Sequence, residues 1–240
     1  MVIHEIAHQW FGNAVTETTW DDAWLSEGFA TFFTLLFIEN EYGKDEYTKG
    51  ILKAKKTVYD LSAKMPSFSI VSDRTAEKEV VTSGITYQKG AWVLHMLRNL
   101  IGEAAFKKGI QNYYATYFNA NTSTDAFIVE MEKASSKDLK LFFKQWLYQP
   151  INPTINASWN YDATTQKLKI HLNQTQGDQF LFTVPVEMGY YKKGDTKPTL
   201  LTLNLKNKEQ DFTFSVKNSI DKLELDPRNV LLNNGQLTKQ

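Results

Sequence analysis

His4-Glu5-Ile6-Ala7-His8, near the start of the 240-residue chain, places two imidazoles and a carboxylate within little more than one helical turn. On a helix His4 and His8 stand about 6 Å apart along the axis and roughly 40° apart in azimuth, so both rings can reach one point in space. Glu5 lies about 100° around from His4. This is the H-E-x-x-H arrangement, in which the two rings bind zinc and the glutamate serves as general base. Val2, Ile3, Ile6, Ala7, Trp10 and Phe11 make the rest of the segment apolar. Burying His4, Glu5 and His8 in such company is costly unless something pairs with them, and a metal would do so. The bland alternative is a pair of satisfied structural histidines on a buried helix. A catalytic zinc also needs a third protein ligand and an open position for water.

Composition narrows the partners. With 27 basic and 27 acidic residues and no basic run, the chain lacks the charge that nucleic acid or an anionic membrane would demand. No stretch of 18 apolar residues suggests a transmembrane segment. The absence of cysteine excludes disulfides, a thiol nucleophile and a cysteine-rich zinc cluster. It fits cytosol and periplasm alike, and the reading leans to a bacterial periplasm or cell envelope.

The elements that must position the motif follow from spacing. Asn13 to Trp20 reads as a turn and a short extended piece, with Asp21 and Asp22 in a solvated turn before the next helix. Ser26 is a good N-cap, and Phe29, Phe32, Phe33, Leu36 and Phe37 then form an apolar helical stripe. Glu27 falls in the first turn on a different face, with Ala30, Thr31 and Thr34, whose small side chains let another helix approach. An acid there can simply complement the helix dipole; beside the histidine pair it is a candidate third ligand. Helices are predicted over 44–60, 88–100, 103–118, 124–134 and 137–147, with a long loop over 61–86. Gln149-Pro150-Ile151-Asn152-Pro153 closes the helical part. Period-2 alternation then takes over at 167–172, Phe180 to Val186, Thr199 to Leu205, Phe212 to Val216 and Leu223 to Leu225, which predicts six or seven short antiparallel strands. The fold class is therefore α+β in two domains: a mostly helical part over 1–150 and an antiparallel β-sandwich over 151–240.

His4-Glu5-x-x-His8, the flanking Gln9-Trp10-Phe11-Gly12-Asn13, and Trp24-Leu25-Ser26-Glu27-Gly28-Phe29-Ala30 together resemble the M1 family of zinc aminopeptidases, gluzincins of the aminopeptidase N type. Eighteen residues separate His8 from Glu27, the family's spacing to its ligand glutamate. Gly84-Ile85-Thr86-Tyr87-Gln88-Lys89-Gly90-Ala91 is similar to the segment that carries the family's catalytic tyrosine. The resemblance implies one catalytic zinc held by His4, His8 and Glu27, with Glu5 as base, Tyr87 stabilising the oxyanion, and peptides as substrates. It also implies that residues 1–150 are the second half of a zincin-like (thermolysin-like) catalytic domain. Ser26 stands where the family usually has Asn. Thr34 stands where many members place an acid that supports a zinc histidine. The family's Gly-x-Met-Glu-Asn segment, which grips the substrate's amino group, lies upstream of the zinc helix. The chain is thus expected to be a C-terminal fragment, partnered by N-terminal domains of a longer protein and weakly active alone.

Of the other chemistry-bearing residues, His95 sits between Leu94 and Met96 and reads as a packed or partly exposed histidine. His171 alternates with inward Ile170 and Leu172 and faces solvent. Asp21 or Asp22 could orient a zinc histidine, a solvated turn being the plainer reading. Two further functions suit the same residues: a non-catalytic scaffold on this fold, or a related zinc hydrolase that opens a lipid epoxide.

Overall fold

The computed structural model describes residues 2–72, 84–217 and 219–240. They form an α+β protein of two compact units, one ending at Ile151 and the other beginning at Asn152. The first contains α1 (Val2–Ala7), β1 (Val15–Glu17), a 3-10 turn (Trp20–Asp22), α2 (Trp24–Tyr42) and α3 (Lys44–Lys64). After these come α4 (Gly84–Ile101), α5 (Glu103–Thr116), β2 (Ala120–Thr122), α6 (Thr124–Ser135) and α7 (Lys140–Leu147). β1 and β2 pair in parallel.

Several local expectations are corrected. The opening helix is only six residues long, and His8 follows its last residue, although the His8 amide still donates to the His4 carbonyl at 3.3 Å. Of its apolar residues Ala7 and Phe11 are buried, whereas Val2, Ile6 and Trp10 are exposed. Ile6 and Trp10 line an open apolar groove with Phe33 and Tyr114. Ser26 is not a cap: α2 starts at Trp24, and the Ser26 hydroxyl bonds back to the Ala23 carbonyl at 3.0 Å. The buried face of α2 is Trp24, Leu25, Phe29, Phe32 and Leu35, with Phe37 left 38% exposed. The helix is rotated from the apolar stripe because it packs on α4 through Gly28 and against Gly50 of α3 through Leu35. Asp22 is buried rather than solvated and accepts a hydrogen bond from the Thr124 hydroxyl. α3 extends into the expected 61–86 loop as far as Lys64, and residues 73–83 lie outside the described ones. α4 begins at Gly84, so Tyr87 belongs to its first turn.

Aromatic packing holds the first unit together. The Phe127 ring meets Trp24 at 5.7 Å, Phe29 at 5.2 Å and Tyr113 at 5.1 Å between centroids, all in the edge-to-face geometry that favours aromatic pairs. Phe11 joins the cluster through Phe29 at 4.7 Å, fixing the turn that follows His8. The tightest helix contact is between α2 and α4. A Cβ built on Gly28 would stand 3.0 Å from the Gly90 Cα, and one on Gly90 would stand 2.9 Å from the Gly28 Cα. Only glycine on both sides permits backbones this close.

Among the described residues the second unit contains seven strands in two sheets. The first is ordered β7 (Glu209–Ser215), β4 (Lys167–Gln174), β3 (Ile155–Asp162), β9 (Leu237–Lys239); the second is β6 (Thr199–Leu205), β5 (Val184–Lys192), β8 (Ile220–Leu225). Alternation decides which face is buried: Ile155, Ala157 and Trp159 on β3, Leu168, Ile170 and Leu172 on β4, and Val184, Val186 and Met188 on β5. The expected strand Phe180 to Val186 is displaced, because Phe180 closes a 3-10 turn (Asp178–Phe180) and pairing begins at Val184. That over Phe212 to Val216 starts earlier, at Glu209. Pairing is antiparallel except that β9 runs parallel to β3. There the Asn233 side chain bonds both the amide and the carbonyl of Ile155.

The Gly28–Gly90 contact leaves no room for a branched side chain. Gly90→Val is expected to force the helices apart at an overpacking cost of about 1–3 kcal/mol, read as a lowered urea midpoint. A wild-type midpoint in this variant would mean that the close approach carries no load.

Candidate metal centre

His4 and His8, one turn apart, present their Nε2 atoms to the same point. Glu27, in the first part of α2, brings its Oε2 to that point from the opposite side. The three atoms form a nearly equilateral triangle: His4 Nε2 to Glu27 Oε2 is 3.1 Å, His4 Nε2 to His8 Nε2 is 3.1 Å, and His8 Nε2 to Glu27 Oε2 is 3.3 Å. Two ligands of a tetrahedral zinc with bonds near 2.05 Å are themselves about 3.3 Å apart, so the spacing fits the metal. Each of the three side chains keeps about a fifth of its surface exposed, which leaves a side open to a further ligand.

Protonation argues the same way. His8 Nδ1 faces the Phe11 carbonyl at 3.0 Å, and a carbonyl can only accept, so Nδ1 carries the proton and Nε2 its lone pair. That lone pair points at the Glu27 carboxylate. Two acceptors 3.3 Å apart repel unless a cation or an additional proton lies between them. The turn that supplies the Phe11 carbonyl depends on Gly12, which has φ +123°, and a Cβ there would come within 3.1 Å of His8 Nδ1. Glycine avoids both the strain and the clash.

Tyr87 stacks on His4, with ring centroids 5.7 Å apart and planes 15° from parallel. Burial, then a hydrogen bond to Glu27 and the charges of Glu27 and Glu5, hold its phenol well above the usual tyrosine range. It therefore remains a hydrogen-bond donor at neutral pH. Glu5 is exposed beside the histidines. All five residues singled out from the sequence, His4, Glu5, His8, Glu27 and Tyr87, line one open cleft of about 760 Å³. Thr31, Thr34, Leu35, Ile38, Gly50, Lys53, Ala54, Thr57 and Gln88 complete its wall. Thr31 and Thr34 turn their hydroxyls back to the carbonyls of Glu27 and Ala30, each at 2.8 Å, so Thr34 offers the histidines no carboxylate.

The remaining candidates lie elsewhere. His95 is buried and bonded through Nδ1 to the Tyr47 hydroxyl at 2.7 Å, a packing role. His171 pairs across the strands with Asp211 at 2.9 Å on the second unit. Asp22 is engaged with Thr124 and does not line the cleft. The Phe11 carbonyl, which orients His8, is a site group the spacing argument did not single out. Its signal was the glycine immediately after an aromatic residue three places beyond the second histidine.

Comparison with known proteins places these residues in context. Residues 1–146 match the peptidase family M1 domain. Glutamyl aminopeptidase of Bos taurus is 37% identical over 172 residues, covering 70% of this chain and 18% of that protein. Aminopeptidase M1-C of Oryza sativa subsp. japonica is 29% identical over 203 residues, covering 83% of this chain and 23% of that protein. Among solved structures, Legionella pneumophila aminopeptidase A, crystallised in complex with aspartic acid, shares the fold with a TM-score of 0.79. That match has 20% identity and covers 97% of this chain and 26% of that one. The chain spans about a fifth of the length of these curated relatives. No described helix is long and apolar enough to cross a membrane.

Gly12→Ala tests the His8 geometry. It is expected to cost about 1–3 kcal/mol in backbone strain and to displace the His8 ring from the Phe11 carbonyl. The readouts are the thermal midpoint and the imidazole nitrogen shifts of His8; unchanged shifts would show that the turn does not orient the ring.

Proposed function

The chain belongs to peptidase family M1, and on that premise we propose that it carries the catalytic centre of a zinc-dependent aminopeptidase acting on peptides. The observation that bears most weight is the triangle of His4, His8 and Glu27 ligand atoms with Glu5 and Tyr87 in the same cleft. In this reading the first unit is the second half of a zincin-like catalytic domain. The second, with alternate strand residues buried on both sheets, is the β-sandwich that follows it.

His4, His8 and Glu27 would hold the zinc. Bound there, zinc would bring the pKa of water down towards about 7 and polarise the scissile carbonyl. Glu5, exposed and free to reach the cleft, takes the proton from the attacking water and delivers it to the leaving amine as the C–N bond breaks. Tyr87, kept protonated by its surroundings, donates to the oxygen on which negative charge develops. The His8 Nδ1 bond to the Phe11 carbonyl holds the ring in the tautomer that leaves Nε2 free, the role such outer contacts play at zinc sites.

Peptide substrates and the upstream part of a longer protein are the partners this reading implies. The coverage of about a fifth of the relatives' length supports the second. The 240-residue chain by itself is expected to turn over aminoacyl-anilides weakly or not at all, since the groups that receive the substrate's amino end belong to the upstream part.

Two experiments test the proposal. Metal analysis should find stoichiometric zinc in the wild type and little in His4→Ala, His8→Ala or Glu27→Ala. Zinc retained in all three would place the metal elsewhere. In the full-length protein, Glu5→Gln should keep zinc and lose nearly all activity, and Tyr87→Phe should lose about 100- to 1000-fold in kcat. Wild-type rates in either variant would remove that residue from the mechanism.

A further inference from the structure

Behind the ligand triangle lies an acid that the mechanism does not use. Glu17, the last residue of β1, brings Oε1 to 3.0 Å from the Ser26 hydroxyl, whose single proton it shares with the Ala23 carbonyl, also at 3.0 Å. Its Oε2 is buried and has no hydrogen-bond partner among the described residues. Ser26 immediately precedes Glu27. Ser26 also stands beside His8: a Cβ on Gly12 would meet His8 Nδ1 at 3.1 Å and the Ser26 Cβ at 3.4 Å. The carboxylate is thus bonded to the residue that precedes one ligand, Glu27, and lies near a second, His8.

We propose that Glu17 is a positioning residue of the metal centre, whose charge, held by Ser26 behind His8 and Glu27, tightens the site's hold on a divalent cation. The inference rests on the zinc reading above. Burial is the main influence on Glu17 and pushes its carboxyl up. Hydrogen bonds from its own amide and from Ser26 act against that push, and the smaller influences of Glu27 and His8 raise and lower it in turn. Both ligands are therefore within its electrostatic reach. Two carboxylates facing one region of low dielectric repel each other, and a cation between His8 and Glu27 turns that repulsion into shared attraction. β1 is pinned for the purpose: it pairs with β2, and the Asn121 side chain donates to the Glu17 carbonyl at 3.3 Å. Thr34 itself has no carboxylate to offer the ligands, whereas Glu17 is a carboxylate bonded to the residue before Glu27.

The test is zinc affinity, measured by chelator competition on metal-free protein, alongside the thermal midpoint of each metal-free variant. Glu17→Gln keeps an acceptor for Ser26 but removes the charge. It should loosen zinc about tenfold or more, the range for lost outer-sphere partners, without lowering the metal-free midpoint. Glu17→Asp restores the charge and should recover most of the affinity. Ser26→Ala, which frees the carboxylate, should loosen zinc severalfold, and it decides the matter if the glutamine variant does not fold. Wild-type affinity in Glu17→Gln, or in Ser26→Ala, would overturn the proposal, as would an aspartate variant as weak as the glutamine one. A wild type that takes up no zinc would refute the zinc reading itself, a result separable from all of these.

Discussion

The site depends on one close contact between two helices. α2 and α4 approach until Gly28 and Gly90 nearly touch backbone to backbone. Glu27 is the residue before Gly28, and Tyr87 lies one turn before Gly90. The crossing that admits no side chain therefore sets the carboxylate and the phenol within reach of each other and of the His4 ring. Such contacts favour precision over burial, since glycine contributes almost no apolar area while permitting the shortest interhelical distance. The large side chains around it, Trp24, Phe29, Phe127 and Tyr113, supply the burial that keeps the helices together.

A second constraint is electrostatic. The His8 Nε2 lone pair and the Glu27 carboxylate, 3.3 Å apart, are unfavourable without a proton or a cation between them. The fold maintains them by anchoring each from outside the triangle. His8 is tied to the Phe11 carbonyl, Phe11 is locked into the aromatic cluster, and Glu27 is carried by a helix whose neighbouring residue is bonded to Glu17. The energy of hydrophobic packing thus holds in place a set of groups that would otherwise separate.

The chemical groups and their order were legible from residue types and spacing, because a helix converts a separation of four into a shared face and because zinc ligation admits few residue types. The alternation of β4 was legible for a similar reason: period two maps directly onto two faces. Periodicity misjudged orientation in α2, where the apolar residues were correctly placed on a helix but the buried face was rotated. Apolar spacing records which residues can be buried, whereas Gly28 and the neighbouring helices decided which were. It likewise misread Ser26, whose sequence context suits a cap although α2 begins two residues earlier.

By itself the sequence indicated the candidate ligands and the candidate base, and it determined the mostly helical character of the first unit's described residues and the strand character of the second's, all of which are local properties of pattern and composition. Only the tertiary structure decided that the Glu27 carboxylate meets both imidazoles, that Tyr87 stacks on His4 from the first turn of a helix, and that Asp22 is bonded to Thr124. It also brought the Glu17 carboxylate to the Ser26 hydroxyl. These arrangements join residues from 9 to 102 positions apart. Over such separations no local periodicity transmits position, and the packing of whole helices is what brings the groups together.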